Sequence, residues 1–336
     1  MSILRHISLL LLAVALFAAC SEDDPIESIH HVNPLWTPDG KTIVAGYDQY
    51  LPVGGDAVTA PLKNPTRLAI MDFASRSTRI VDLQIVSTWH ELYAFDPSGT
   101  ALAFVQQGGI YFFDLQGRLL LQHQPTIGSA PRLLAFSNTG NSFVWLGTTS
   151  VGYSVNLSTY DASGWTILNS VELGRVTTTE APVSLVLTSQ RSYAVRTSSG
   201  LVREVDFDGT ELNSFSIKPL TADNPWHARL IFYDTGGMRY LYALDNEGLM
   251  RLDLATGMAA QLVKGQIVDL DVSDLRRSMV YETHTGDVWL SNQDGSPLSR
   301  IAPQNLMPRI SPAGNGIALI ERISSYRDSL HILLLR

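Results

Sequence analysis

Cysteine is the scarcest residue in this chain of 336 residues, since it occurs only once. A single cysteine excludes an intramolecular disulfide framework and any zinc site built from several thiolates. Charged residues are also few, at 17% of the chain, whereas globular proteins usually carry about a quarter. The 24 Lys and Arg residues against 32 Asp and Glu give a net charge of -8, which argues against nucleic acid as a partner because phosphate binding needs a clustered basic face.

Several catalytic signatures are absent from the sequence. The chain has no Gly-x-Ser-x-Gly nucleophile elbow, no Walker loop, no His-Glu-x-x-His and no Gly-x-Gly-x-x-Gly leading into a helix. After the first twenty residues, no segment shows the apolar stripe of an amphipathic helix. Hydrophobic residues make up 45% of the chain, which is ordinary for a globular core. We therefore expect an all-β protein that is not an enzyme and needs no cofactor.

The first twenty residues have the pattern of a secretory signal. Arg5 stands in a short region without acids, and an apolar run broken only by Ser8 extends from Ile7 to Ala19. A membrane-spanning helix needs about 20 apolar residues, so the run is too short for a retained span. Residues 1–19 are therefore predicted to be a signal peptide that is cleaved.

The end of this run, Leu16-Phe17-Ala18-Ala19-Cys20, resembles the bacterial lipobox, although Phe17 replaces the usual Leu. The resemblance implies that Cys20 becomes the lipidated N-terminus, anchored in the cell envelope by several acyl chains, as stable anchoring requires more than one. The alternative is an ordinary signal peptide with an incidental cysteine. Residues 20–24 would form an acidic tether. Ser21 resembles the outer-membrane sorting signal of such lipoproteins, and the acids after it resemble a surface-export tag. The third interpretation is a tether that carries no sorting signal.

The rest of the chain contains one repeat. Turn signals that begin with Asp or Asn follow short β-rich runs, at spacings of 42, 47, 45, 47 and 39 residues. Their first residues are Asp72, Asp114, Asp161, Asp206, Asp253 and Asn292. A second series runs out of phase with the first, with sequences such as Thr37-Pro-Asp-Gly40, Asp96-Pro-Ser-Gly99 and Ser311-Pro-Ala-Gly314. Pro and Gly preset a tight turn, so each unit contains four strands joined by two hairpins.

Seven such units predict a seven-bladed β-propeller with four-stranded blades. The segment Trp36-Thr-Pro-Asp-Gly-Lys41 resembles the repeat of TolB-like propellers, which are relatives of the WD40 class, and the resemblance extends over residues 31–336. Two β-sandwiches would fit the composition but not the even spacing. Residues 25–336 are therefore predicted to form one propeller. Because the seventh unit provides only three strands, Pro25 to Val32 is predicted to supply its outer strand and close the ring.

The candidate ligand-binding residues begin the innermost strands, where a propeller opens its central channel. They are Trp89, His90, Arg132, Trp226, His227 and Arg309. The alternative is that the two Trp residues pack between blades while the His residues cap strand ends. The pair His30-His31 is an improbable metal site, because neighbours on a strand point to opposite faces. Tyr111, Tyr242 and Trp289 are predicted to belong to the core between blades.

Long connections are candidate contact surfaces, above all Gln49 to Asn64, since long loops in compact domains are usually functional or disordered.

Two function classes remain open. The first is a non-catalytic scaffold of the cell envelope, a monomeric propeller that is lipid-anchored, for example in the outer membrane, and binds another envelope protein or a polymer. The second is a propeller enzyme or a receptor for a small ligand or metal, which would use His90 and His227 at the channel mouth.

Overall fold

The computed structural model describes residues 28–50, 67–83, 93–106, 108–123, 130–137, 141–150, 152–161, 164–174, 180–220, 229–273, 275–302, 305–324 and 327–335. The predicted signal peptide and acidic tether, residues 1–24, lie outside these ranges, as do Trp89, His90, Trp226 and His227. Within the described residues the chain forms 27 β-strands, and none of these residues belongs to an α-helix.

The first four blades follow one another along the chain. Blade 1 contains β1 (Ser28–Trp36), β2 (Thr42–Tyr50), β3 (Arg67–Asp72) and β4 (Thr78–Asp82). Blade 2 contains β5 (Tyr93–Phe95), β6 (Ala101–Gln106), β7 (Gly109–Asp114) and β8 (Leu119–His123). Blade 3 contains β9 (Ala130–Phe136), β10 (Ser142–Thr149), β11 (Gly152–Asp161) and β12 (Gly164–Gly174). Blade 4 contains β13 (Pro182–Leu187), β14 (Ser192–Thr197), β15 (Leu201–Asp206) and β16 (Glu211–Ser216).

The last three blades complete the ring. Blade 5 contains β17 (Leu230–Thr235), β18 (Met238–Asp245), β19 (Gly248–Asp253) and β20 (Met258–Lys264). Blade 6 contains β21 (Ile267–Ser273), β22 (Ser278–Thr283), β23 (Val288–Asn292) and β24 (Pro297–Ala302). Blade 7 contains β25 (Asn305–Ile310), β26 (Gly316–Ser324) and β27 (Arg327–Leu334), and β1 follows β27 in the order of its sheet. The predicted all-β, seven-bladed propeller is confirmed.

The join between blades 7 and 1 has its own geometry. β1 pairs antiparallel with β2 from Ser28 to Trp36, with an irregularity between Val32 and Leu35, where Asn33 has a φ of 48°. Its contact with β27 is parallel and consists of the single pair Ile29 and Arg327. Ser28 to Val32, predicted from sequence as a separate outer strand, is thus the first half of the inner strand of blade 1. Residues 25–27 lie outside the described ranges.

The repeated turns are closed by the residues that the sequence singled out. In the first turn the N–H of Gly40 donates to the carbonyl of Thr37 over 2.8 Å, and the Oγ1 of Thr37 accepts from the N–H of Thr42 over 3.0 Å. Gly40 has a φ of 68°, which glycine adopts without strain. Blade 4 lacks this glycine, and there the Oγ of Ser189 accepts from the N–H of Ser192 over 3.0 Å instead. The hydroxyl of Ser189 thereby helps to close the turn that has no glycine.

These turns give the ring two unlike faces. Because strands within a blade are antiparallel, the connections from first to second and from third to fourth strand lie together, and we call this side the turn face. The other connections lie on the opposite side, which we call the loop face. The turn face has only short connections, whereas the long ones, such as 51–66 and 217–229, join strands at the loop face.

The hydrophobic core lies between the blades rather than at one centre. Each blade packs its apolar face on the next, as Val195 and Tyr193 of blade 4 do on Leu146 and Val155 of blade 3. Tyr111 and Tyr242 are buried in two of these layers, and Trp289 packs, partly buried, against the layer that contains Tyr242, as predicted. The inner strands are therefore held in fixed positions around the ring.

Candidate functional site

The channel wall is formed by the first strands of the blades, and two of the predicted site residues can be placed on it. Arg132 lies on β9 of blade 3, where it is exposed, and its Nη1 lies 3.4 Å from the hydroxyl of Tyr153. Arg309 lies on β25 of blade 7 and is only 5% exposed. The two guanidinium groups bond different partners on different blades. Trp89, His90, Trp226 and His227 lie outside the described residues, so their predicted convergence stays a prediction.

Arg309 joins three blades. Its Nη1 donates to Asp269 Oδ2 of blade 6 over 2.6 Å and to the carbonyl of Pro308 over 2.8 Å. Its Nη2 lies 3.3 Å from Asn33 Oδ1 of blade 1. The carbonyl of Arg309 accepts from Trp36 Nε1, also of blade 1, over 2.8 Å. These contacts give Arg309 a structural role, and its predicted role in ligand binding stays a prediction.

Around Arg309 the structure assembles a group of charged residues that sequence reasoning missed. Asp269 and Asp271 lie on β21, and Glu282 lies opposite Asp269 on β22. Arg229 precedes β17, and its Nη2 lies 3.8 Å from Asp271 Oδ1. We call Arg229, Asp269, Asp271, Glu282 and Arg309 the channel cluster. It extends from blade 5 to blade 7.

Two carboxyl groups of the channel cluster, those of Glu282 and Asp271, have raised pKa values. Burial raises the pKa of Glu282 to about 7, and the neighbouring charge of Asp269 acts in the same direction. The N–H of Met307, which donates to Glu282 Oε2 over 2.9 Å, opposes the shift, as do the charges of Arg309 and Arg322. Burial also raises the pKa of Asp271, against the opposing charges of Arg229 and Arg309. Its Oδ2 accepts from the N–H of Ile310 over 3.0 Å.

Arg229 is the more exposed of the two cations of the cluster. It exposes 36% of its side chain, whereas its Nη1 is buried and has no hydrogen-bond partner among the described residues. No group of three or more His, Cys, Asp or Glu side chains within the described ranges is arranged to hold a metal ion.

A weak signal for this cluster was present in the sequence. Asp269 and Asp271 are spaced by two on a strand, so their side chains share one face. Two acids on one face of an inner strand need cations from a neighbouring blade, because buried charges are paired in folded proteins. Arg309 already stood among the candidate residues for its position at the start of an inner strand. Its partners on other blades came from blades 6 and 1, and no spacing within one repeat connects them.

Comparison with known proteins shows the fold but no family. No protein-family model and no curated protein matches this chain. Among solved structures, the chain is similar to the β-propeller domain of Cps50 (Swd1) from Myceliophteria thermophila, with 14% identity, a TM-score of 0.61, and coverage of 94% of this chain and 100% of that one. A chain in a mitotic checkpoint complex has 11% identity and a TM-score of 0.58, with 90% and 89% covered. An oligogalacturonate lyase solved with manganese has 12% identity and a TM-score of 0.62, with 93% and 91% covered.

Identities this low establish only the architecture. The likeness to a β-propeller domain agrees with the seven-bladed β-propeller that the repeat predicted and that the sheets form. Within the described ranges there is no helix of the length and apolarity needed to cross a membrane.

Proposed function

We propose that this chain is a lipid-anchored lipoprotein of the bacterial cell envelope, in the outer membrane, whose propeller binds an envelope protein or polymer without catalysing a reaction. The observation that carries the binding role is the difference between the two faces of the ring. Short turns closed by backbone hydrogen bonds cover the turn face, whereas all the long connections join strands at the loop face. Long loops on a rigid scaffold are where proteins commonly place recognition.

The anchoring part of the proposal is supported by the sequence. The only cysteine of the chain follows an apolar run of signal-peptide length, in a segment that resembles the lipobox. An anchored propeller whose long connections lie on one face is suited to present that face to a neighbour. Two of the similar structures are consistent with such a use, since one is named for a mitotic checkpoint complex and the other is a propeller domain of a larger protein.

The test compares variants of the two faces in native membranes. The anchored protein is crosslinked in place and purified, beside a variant in which residues 51–66 are replaced by a short Gly-Ser linker. A matched control carries Lys41→Ala and Arg118→Ala, two exposed changes on the turn face. We expect one reproducible crosslinked partner for the parent and the control, and its loss from the loop variant. Equal recovery with all three proteins would contradict a binding role of the loop face.

A metal assay on the same preparation examines the alternative function. Stoichiometric metal that disappears in the double variant His90→Ala, His227→Ala would favour a metal-dependent enzyme or receptor at the channel mouth. A partner recovered from a protein without metal would favour the scaffold.

A further inference from the structure

A pocket opens at the loop face between blades 5 and 6. One wall runs from Val263 to Ile267, where β20 ends and the chain passes to β21. The other wall is formed by the end of β22 and the turn after it, with Tyr281, Thr283, His284 and Thr285. Its volume is about 340 Å³, at the small end of the range of about 300–1,000 Å³ that is usual for ligand sites. We call it the seam pocket, and its size suits a small group rather than a folded surface.

Backbone hydrogen bonds fix both walls of the seam pocket. The N–H of Gly265 donates to the carbonyl of Glu247 in blade 5 over 2.8 Å. The N–H of His284 donates to the carbonyl of Gln266 over 2.9 Å, and this bond joins the two walls directly. The pocket is therefore formed before a ligand enters it, which reduces the cost of ordering the site on binding.

The bottom of the seam pocket is apolar. Ile267 is 6% exposed and Tyr281 is 5% exposed, and both belong to the hydrophobic layer between blades 5 and 6. Val263 packs, partly buried, against the same layer. An apolar group that enters the pocket leaves water for these side chains, and the free energy gained grows with the apolar area that is buried.

The rim of the seam pocket carries hydrogen-bond donors and one full positive charge. Lys264, Gln266 and His284 are exposed there. None of the described residues that line the pocket is an acid, and Lys264 forms no ion pair within the described part of the chain. Its charge acts on Glu247, but Lys218 already binds that carboxylate. In a chain with a net charge of -8, this pocket is a local exception, and it favours an anionic group.

We propose that the seam pocket binds the C-terminal residue of a partner protein. Lys264 and His284 bind its carboxylate at the rim. Its apolar side chain packs on Ile267 and Tyr281 at the bottom. A C-terminal residue offers both groups at once, and capture of a terminal carboxylate is a recurring mode of peptide recognition. An Asp or Glu side chain would bring the charge without the apolar group, and an acidic sugar would bring hydroxyls that need acceptors which the apolar bottom lacks. The choice of a protein as the occupant rests on the proposed function.

Calorimetric titration of the purified mature protein with short peptides tests the inference. The probes are acetylated Gly-Ser-Gly-Ser-X peptides that end in Leu, Val or Phe with a free carboxylate. The comparison peptides have the same sequences with a C-terminal amide. We expect at least one free acid to bind about tenfold or more tightly than its amide, because the amide lacks the charge that Lys264 attracts. Replacing its last residue by Gly should weaken binding by about tenfold, because the apolar contact is lost.

Variants of the protein locate the binding. Lys264→Ala should weaken binding of the free acid by about tenfold and leave the amide unchanged, whereas Lys41→Ala, at an exposed lysine of the turn face, should change neither. Failure of all three free acids to bind, equal binding of acid and amide, or an unchanged affinity in the Lys264→Ala variant would overturn the inference. Glucuronate that competes for the pocket more strongly than acetyl-leucine would overturn it in favour of an acidic sugar. A crosslinked partner that is lost from the 51–66 variant but kept by Lys264→Ala would contradict this inference and leave the proposed function in place.

Discussion

At the scale of single residues, the chain uses buried polar groups where a blade meets its neighbour. Glu282 is 5% exposed and lies opposite Asp269 on the next strand. Its pKa of about 7 stands well above the ordinary value of 4.5. The folded state therefore holds a proton on Glu282 more tightly than the unfolded state does. The stability gained from this proton is fully present below pH 4.5 and is lost as the pH rises through 7.

We predict that Glu282→Gln removes this pH dependence. The amide cannot ionise and can still accept from the N–H of Met307. Relative to the parent, the variant should gain on the order of 2–3 kcal/mol in unfolding free energy between pH 5 and pH 8. Denaturant unfolding at both pH values measures it, and Glu211→Gln at an exposed position is the control. A difference between variant and parent that stays constant with pH would refute the prediction.

Two glycines with a positive φ provide a matched pair of positions at which the cost of adding a side chain can be compared. Gly248 has a φ of 150°, and a Cβ there would lie 1.9 Å from the carbonyl oxygen of Val263. Gly164 has a φ of 136°, and a Cβ there would meet nothing within 4 Å. We predict that Gly248→Ala lowers the unfolding free energy by roughly 3 kcal/mol or more, and Gly164→Ala by about 1–2 kcal/mol, because only the first adds a clash to the strain. Thermal melting of the two variants compares them, and equal losses would contradict the clash.

At the scale of strands and blades, Arg309 joins elements that are far apart in the chain. Its removal leaves Asp269 partly buried without its closest cation, with 15% of the carboxylate side chain exposed. We predict that Arg309→Met lowers the unfolding free energy by about 3–5 kcal/mol, whereas Arg132→Met at an exposed position changes it by less than about 0.5 kcal/mol. The double variant Arg309→Met, Asp269→Leu should regain much of the loss. A double variant as unstable as the single one would show that the ion pair is not the cause.

The same elements show what the sequence could predict. Turns such as Thr37–Gly40 are local, because Pro, Gly and a hydroxyl within four residues decide the geometry, and their regular spacing predicted the blades. The join at Ser28–Val32 was not predictable in this way. Its residues suit an outer strand and an inner strand equally, and pairing with β2 over the full length of β1 decided between them. The channel cluster likewise depends on contacts between three blades, which no local pattern encodes.

At the scale of the whole molecule, the ring needs its first strand. We predict that deleting residues 25–32 lowers the melting temperature sharply, since it removes the first half of β1 and the contact with β27. Deleting residues 53–60, which lie in the connection between β2 and β3, is the control and should cost much less. Equal melting of the parent and the 25–32 variant would show that the ring is held closed elsewhere.

The anchor is tested by one substitution. Cys20→Ala should release the protein in soluble form or leave it unprocessed with its leader, because lipid attachment and cleavage in lipoproteins both need the cysteine thiol. Membrane fractionation and the mass of the intact protein measure the change. A variant with the membrane distribution and mass of the parent would contradict the anchor.

The unequal faces of the ring also decide where foreign sequence can be inserted. On the turn face each connection is a few residues long, and its hydrogen bonds set the register of two strands at once, so one added residue displaces every side chain that follows. On the loop face a connection such as 51–66 joins strands whose register is already fixed by their own pairing. An epitope or a fluorescent reporter can therefore be inserted there without changing the blades. Descendants of this chain are free to diverge in length at the same positions, while the turn face keeps the ring intact.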